Sequence, residues 1–200
     1  MGEEIKSAWE IALEKAEKIG KASKEELEWE RKKEKALSLV GKFLRGESKN
    51  FKEEVYTFLS EYSENEKKKI LKVILEALLK NLVLPREEVH LREIKEVLQA
   101  LKSFFDKVPQ MDKLFQETEK MLKEYHQQKE LLYQEMVKRF AASISALERA
   151  VSEQMGAKVK LTPESHPQFQ EEWIKVKEHL DREYSKQLDY IKNLVLKILS

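Results

Sequence analysis

One uninterrupted stretch decides the fold. Residues 109–155 read PQMDKLFQETEKMLKEYHQQKELLYQEMVKRFAASISALERAVSEQM, with no proline or glycine after Pro109. These are the two residues that most often end a helix. The stretch carries one side chain per helical turn on a single stripe, and the residues are Met111, Phe115, Thr118, Leu122, Tyr125, Lys129, Leu132, Met136, Phe140, Ile144, Leu147, Val151 and Met155. This spacing predicts one helix from about 110 to 155, roughly 65–70 Å long.

The end of the chain repeats the same period. Its stripe consists of Phe169, Trp173, Val176, Leu180, Tyr184, Leu188, Ile191, Val195 and Ile198. A single loop, GAKVKLTPESHP, separates the two stripes, so the sequence predicts a long, coiled-coil-like antiparallel helical hairpin over residues 110–200. If Phe169 lies near Met155, this register places Lys129 beside the carboxyl end of the last helix, where its charge would meet the negative end of the helix dipole.

The stripe of the last helix is narrow at first and becomes broad in DYIKNLVLKIL. A narrow stripe is typical of a two-stranded pair, whereas a broad one indicates more neighbours. We therefore expect the loop end of the hairpin to project and its base to pack on a head formed by residues 1–109.

About five shorter helices are predicted for the head. Residues 4–19 form an amphipathic first helix with alanine at 8, 12 and 16, a ridge that would allow close approach of another helix. Gly20 fits a helix end, and Ser23 with Glu26 forms a capping box, so a second helix running to about Arg45 would fold back on the first.

The rest of the head follows the same rules. A third helix is predicted over 51–62, and Ser63 with Glu66 repeats the capping-box signal for the fourth. The fourth contains ILKVILEALLKNLVLP and ends at Pro85, and a fifth runs from there to Pro109. The predicted class is all-α, with a compact head over 1–109 and a hairpin over 110–200.

Composition limits the function. The chain has 38 Lys and Arg against 37 Asp and Glu, so no bulk charge attracts nucleic acid or an anionic membrane. The most apolar run is too short and too charged to span a bilayer. Absence of cysteine and of a signal-peptide pattern favours the cytoplasm, and the richness in Glu and Lys is typical of thermophiles.

Only one pair has the spacing of metal ligands. Glu87 and His90 form a Glu-x-x-His, which in di-iron carboxylate bundles occurs twice beside two further carboxylates. The other histidines, His126, His166 and His179, have no Glu three residues before them. A neutral histidine at the edge of the core is the favoured interpretation of His90, and a metal ligand is the alternative.

Other catalytic and cofactor patterns are missing from the sequence. It contains no Gly-x-Ser-x-Gly elbow, no His-Glu-x-x-His and no glycine-rich phosphate loop. We therefore expect no catalytic, cofactor-binding or metal-binding residue, no cofactor and no enzymatic activity, and no small-molecule substrate can be named.

Short basic clusters and three aromatic residues could serve a nucleic acid. The basic clusters are Lys67 to Lys69, Arg31 with Lys32 and Lys33, and Lys158 with Lys160. Each has acidic neighbours, so a solvated surface is favoured over phosphate contact. Tyr125, Tyr133 and Trp173 have helical spacing and are expected in the core rather than as base-stacking platforms.

Three segments carry a resemblance to a known family: IKSAWEIALEKAEKIGKASKEE, VILEALLKNLVLPREE and MGAKVKLTPESHPQFQEEW. Through them nearly the whole chain resembles a domain-of-unknown-function family of uncharacterised bacterial proteins. The resemblance implies a bacterial, intracellular, helical protein and transfers no site, because these motifs are architectural. Three functional hypotheses follow: a non-enzymatic interaction or scaffold protein that binds another protein or a second copy of itself, a nucleic-acid-associated protein, and a metal-dependent helical-bundle enzyme.

Overall fold

The structure, a computed structural model, describes the backbone of residues 8–199 and the side chains of residues 24–199. Within these residues the chain forms six α-helices, one short 3-10 helix and no strand, which confirms the all-α class. The helices are α1 (Ala8–Leu44), α2 (Phe51–Leu59), α3 (Glu64–Lys80), α4 (Glu88–Phe104), α5 (Pro109–Met155) and α6 (Pro167–Ile198), and the 3-10 helix is Pro163–Ser165.

The predicted hairpin at Gly20 is wrong, because α1 is continuous from Ala8 to Leu44. Glycine inside a helix costs about 1 kcal/mol relative to alanine, and the Ala, Glu, Lys and Leu residues on either side are strong helix formers that offset it. Ser23 therefore does not begin a helix. Residues 4–7 and the side chains of the alanine ridge lie outside the described residues.

The end of α1 and the start of α3 lie where the sequence predicts a helix end and a helix start. Gly46 adopts a left-handed conformation, with φ of 72°, and its N–H donates to Phe43 O at 2.9 Å. This ends α1. At the start of α3 the Ser63 N–H and hydroxyl both donate to Glu66 Oε2, at 3.1 and 2.7 Å, so the capping signal read from Ser63 and Glu66 is confirmed.

The chain divides into two compact units, one ending at Ala77 and the other beginning at Leu78. The sequence suggested a division at residue 109 instead. The structure groups α4 with the long helices, since α4 packs on α5: Phe105 and Phe115 have ring centroids 6.0 Å apart, and Lys102 forms an ion pair with Asp112.

The first unit joins α1, α2 and the first part of α3. The rings of Phe43 and Phe51 stack with centroids 4.6 Å apart, which fastens α2 to the end of α1. Lys32 on α1 donates to Glu66 on α3 at 2.7 Å and lies over the Tyr62 ring. The buried side chains here are Ala36, Val40, Phe51, Val55, Leu59, Ile70, Ile74 and Leu75.

In the second unit α5 forms one helix, as its period predicts, and α6 packs along it. The contacts are Tyr125 with Tyr184 (5.3 Å between centroids), Tyr133 with Trp173 (5.2 Å), and Phe140 with Phe169 (5.6 Å). Residue numbers rise along α5 while they fall along α6, so the two helices run antiparallel. The surface along which they pack is called the seam below.

The predicted register of the two helices is wrong. Phe169 packs on Phe140 rather than near Met155, which is 68% exposed. The cause is the chain after Gly156, which runs back along α5 before α6 begins. In this return segment, residues 157–162, the Val159 N–H donates to Ser152 Oγ at 2.9 Å and the Leu161 N–H to Glu148 Oε1 at 2.8 Å.

Candidate functional site

The seam has an apolar half next to the return segment. Met136, Phe140, Ile144 and Phe169 form a buried cluster, flanked by Tyr133, Val137, Leu161, Trp173 and Val176. The rings meet edge to face, as aromatic pairs prefer: Phe169 contacts both Tyr133 and Phe140 at interplanar angles of 90° and 84°. Tyr133 and Trp173 are thus part of the packing, as the sequence indicated.

The other half of the seam is polar, and Asp181 lies at its centre. Tyr125 donates to Asp181 Oδ1 and Lys177 donates to Asp181 Oδ2, both at 2.6 Å. The Tyr125 side chain is buried and also packs its ring against Tyr184. Both carboxylate oxygens of Asp181 therefore already have a donor.

Lys129 is the buried cation of this half, with only 6% of its surface exposed. Its ammonium donates to the main-chain carbonyls of Pro85 and Arg86, at 3.2 and 2.5 Å, and lies 5.7 Å from the centroid of the Tyr125 ring. Lys129 thereby ties the segment before α4 to α5. The predicted position beside the carboxyl end of α6 is wrong, because the register is shifted.

A cleft of about 890 Å³ opens beside these groups, within the second unit. It is named the Lys129 cleft here. Its walls come from α4 and the segment before it, from α5 and from α6. The residues that line it are Leu82, Val83, Leu84, Arg86, His90, Tyr125, Lys129, Lys177, Asp181, Ser185, Leu188, Asp189 and Lys192. Its volume lies in the range of small-molecule sites.

Burial changes the acidity of several groups in the cleft. Loss of water raises the pKa of Tyr125, and the hydrogen bond to Asp181 raises it further, so the phenol remains a donor. Loss of water also lowers the pKa of Lys129 and of Lys192, although nearby carboxylates oppose this. Lys129 is buried and Lys192 is half-buried, so both ammonium groups have lost part of their contact with water.

The Glu-x-x-His pair caps a helix. The main-chain N–H of Glu87 donates to His90 Nδ1 at 3.1 Å. In return, the Glu87 side chain accepts a hydrogen bond from the main-chain N–H of His90. His90 is half-buried, at the rim of the Lys129 cleft. Within residues 24–199 no group of three His, Asp or Glu side chains is placed to hold a metal ion.

The basic clusters of the sequence are partly paired with acids. Lys67 forms an ion pair with Glu64 at 2.7 Å, Lys32 with Glu66 at 2.7 Å and Lys33 with Glu30 at 3.1 Å. Arg31, Lys68, Lys69, Lys158 and Lys160 are exposed. The nucleic-acid hypothesis remains a prediction that these contacts do not test.

One apolar row lies on the outer surface of α6. Tyr190 is 65% exposed and Ile198 is 51% exposed, and the half-buried Leu194 lies between them at a spacing of four residues. We call Tyr190, Leu194 and Ile198 the α6 row. Of the broad apolar end that the sequence predicted for α6, only Val195 is fully buried. Rows at this spacing are the ridges with which helices pack on one another.

The sequence places Lys129 on an otherwise apolar stripe and, in the predicted register, beside the carboxyl end of the last helix. That was a usable signal, since a lysine at an inward position needs compensating partners. Its acceptors are main-chain carbonyls, which carry no residue-type signature. Lys177, Asp181 and Lys192 resemble any other surface charges of a charged helix, so the cleft was missed.

No helix in the described part of the chain is both long and apolar enough to cross a membrane.

A comparison with protein families matches residues 56–197 to one family, described as "Family of unknown function (DUF6657)". Comparisons with curated proteins and with solved structures found no match.

Proposed function

Because the chain belongs to DUF6657, a family of unknown function, we propose its role from its own geometry: a non-enzymatic interaction or scaffold protein that acts through its long antiparallel helix pair. The observation that supports this proposal is the α6 row. Monomeric proteins expose single apolar side chains routinely, but a row at ridge spacing beside a closed seam has the form of a helix-docking surface.

The charges beside the row suggest the chemistry of the partner. Lys186 precedes Tyr190 by four residues and Lys197 follows it by seven, so both lie on the same face of α6 as Tyr190. Both are exposed, and the described residues show no ion pair for either. The proposed partner is therefore an amphipathic helix of another protein, with apolar side chains flanked by acidic ones.

Affinity capture from the native cells, quantified by mass spectrometry, tests this proposal. The test variant is Tyr190→Glu with Ile198→Glu. The matched control is Leu131→Glu with Ile174→Glu, which changes two exposed apolar side chains elsewhere on the same helix pair. We expect at least one protein captured by the wild type and the control to be lost with the test variant. Identical capture by all three proteins contradicts the proposal.

Light scattering distinguishes a partner from self-association. A wild-type mass of one chain, with a captured protein lost as above, supports a different protein as the partner. A doubled mass that returns to one chain in the Tyr190→Glu and Ile198→Glu variant shows instead that a second copy of the chain binds the α6 row.

The cytoplasm remains the proposed compartment, as a chain without cysteine suggests.

The nucleic-acid and metal-enzyme hypotheses are kept as alternatives, and no contact among residues 24–199 favours either of them. A salt-dependent shift of labelled DNA or RNA would support the first. Metal analysis of the purified protein, together with a stability measurement after addition of iron or zinc, tests the second.

A further inference from the structure

The Lys129 cleft contains more positive than negative charge. Its cations come from three walls: Arg86 from the segment before α4, Lys129 from α5, and Lys177 and Lys192 from α6, whereas its carboxylates are Asp181 and Asp189. Asp181 is already neutralised by Lys177, to which it is bonded at 2.6 Å. A concave surface with an excess of one sign of charge concentrates counter-ions of the opposite sign.

Two of these cations, Lys129 and Lys192, form no ion pair among the described residues, although carboxylates lie near both. Lys129 uses two of its three N–H donors on main-chain carbonyls, and within residues 24–199 no carboxylate forms an ion pair with it. The same residues give Lys192 no ion pair either, although it lines the cleft and is half-buried. An anion bound to Lys192 would give this partly desolvated ammonium the ion pair that the described residues do not supply.

The remaining walls limit what such an anion can carry. Leu84, Leu188, Val83 and the Tyr125 ring line the same space as the ammonium groups. A hydrated inorganic ion would leave these surfaces uncovered, whereas an apolar body attached to the anion would cover them. The walls thus provide both charged and apolar surface.

We propose that the Lys129 cleft binds a small organic oxyanion, a carboxylate or a phosphate ester attached to an apolar group. Lys192 holds the oxyanion in the positive potential to which Arg86 and Lys129 contribute, and the apolar group lies against Val83, Leu84 and Tyr125. This site does not include the α6 row, so it is independent of the proposed partner helix.

Titrations of the full chain with benzoate, phenyl phosphate, inorganic phosphate and neutral benzamide test the proposal, with chemical shifts of the lysine ε-methylene groups as the readout. We expect saturable binding of benzoate, phenyl phosphate or both, and weaker binding of inorganic phosphate and benzamide by about tenfold or more. Whichever aromatic anion binds more tightly identifies the head group. Binding of benzamide as tight as that of both anions, or no saturable binding of either anion, overturns the proposal.

The matched variants are Lys192→Met and Lys175→Met. Both remove one lysine from α6, but only Lys192 lines the cleft, and Lys175 is exposed. We expect Lys192→Met to weaken anion binding by about tenfold and Lys175→Met to change it by less than about twofold. Equal effects of the two variants contradict the site. If Lys192→Met does not fold, as judged by circular dichroism, Arg86→Gln replaces it, because Arg86 is exposed. We expect Arg86→Gln to weaken anion binding several-fold. Unchanged binding in that variant also overturns the site.

Discussion

The two halves of the seam use the same pair of helices in opposite ways. In the apolar half, Phe140 and Phe169 pack edge to face in a cluster without buried charge. In the polar half, the inward stripe of α5 carries Tyr125 and Lys129, and both are buried and hydrogen-bonded. The buried cluster of one half consists of apolar side chains, whereas the buried donors of the other half each need a partner.

The comparison separates the contacts that stabilise the helix pair from those that fix the register of α6 along α5. Apolar burial stabilises the helix pair in any arrangement that removes area from water, because the hydrophobic effect has no direction. The polar half is satisfied only in one register, in which Tyr125 faces Asp181 and Lys129 reaches two carbonyls of the segment before α4. We infer that the apolar half supplies most of the free energy and that the polar half fixes the register and shapes the cleft.

Removing the central ring of the apolar half should have the largest effect. Phe169→Ala deletes a fully buried ring in contact with Tyr133 and Phe140. We expect the free energy of unfolding to fall by about 3–5 kcal/mol, measured by urea denaturation followed by circular dichroism. Ile174→Ala is the control, since Ile174 is 54% exposed on the same helix, and it should change stability by less than about 0.5 kcal/mol.

Replacing the buried lysine tests the polar half. Lys129→Met keeps an unbranched apolar chain but leaves the carbonyls of Pro85 and Arg86 without their donor. We expect a loss of about 1–3 kcal/mol in the same denaturation measurement, smaller than for Phe169→Ala. A variant as stable as the wild type would mean that the cost of burying the charge equals what its hydrogen bonds contribute.

Removing a single hydroxyl from the polar half should cost less. Tyr125→Phe keeps the ring against Tyr184 and removes the donor to Asp181 Oδ1. Asp181 retains Lys177, so we expect a loss of about 1 kcal/mol. The control is Tyr190→Phe, which removes the hydroxyl of an exposed tyrosine on α6 and should leave stability unchanged.

The smallest expected effect is on the pH dependence of stability. Burial lowers the pKa of Lys129, while Glu87, Glu130 and Asp181 oppose the change and Lys177 reinforces it. Between the lowered pKa and the ordinary value of 10.5, the folded chain binds fewer protons at this group than the unfolded chain. The free energy of unfolding therefore rises with pH across that window.

Lys129→Met removes this contribution. The difference in stability between wild type and variant should grow as the pH rises towards 10.5, the ordinary pKa of lysine, in parallel denaturation series. Lys192 has a pKa lowered for the same reason, but it is present in both proteins and cancels in the comparison. Two curves that stay parallel would contradict the assignment of a lowered pKa to Lys129.

The course of α5 could be predicted from sequence because it depends on a local property repeated along one helix. Of the stripe read from the sequence, Met111, Leu122, Met136 and Ile144 are buried as expected. The register of α6 could not be predicted in this way. It depends on the path of the return segment, whose contacts involve a serine hydroxyl and a glutamate carboxylate that are common on any charged helix.

The two Ser-x-x-Glu motifs show a second limit. Ser63 and Glu66 begin a helix, whereas Ser23 and Glu26 lie inside one. A capping box satisfies the free N–H groups of a helix start, but it does not by itself interrupt a helix. At Glu66 the joint is supported from α1 by Lys32, a contact between residues far apart in sequence.

The geometry of the return segment also restricts how the loop can change length. From Val159 to Leu161 the segment advances two residues while its contacts on α5 step back four, from Ser152 to Glu148. Extended chain rises about 3.3 Å per residue and helix about 1.5 Å, so one residue of the first spans roughly two of the second. An insertion that keeps Tyr125 opposite Asp181 must therefore add about two residues to the end of α5 for each residue added to the return segment. The lengths of these two segments in related sequences can be checked against this ratio.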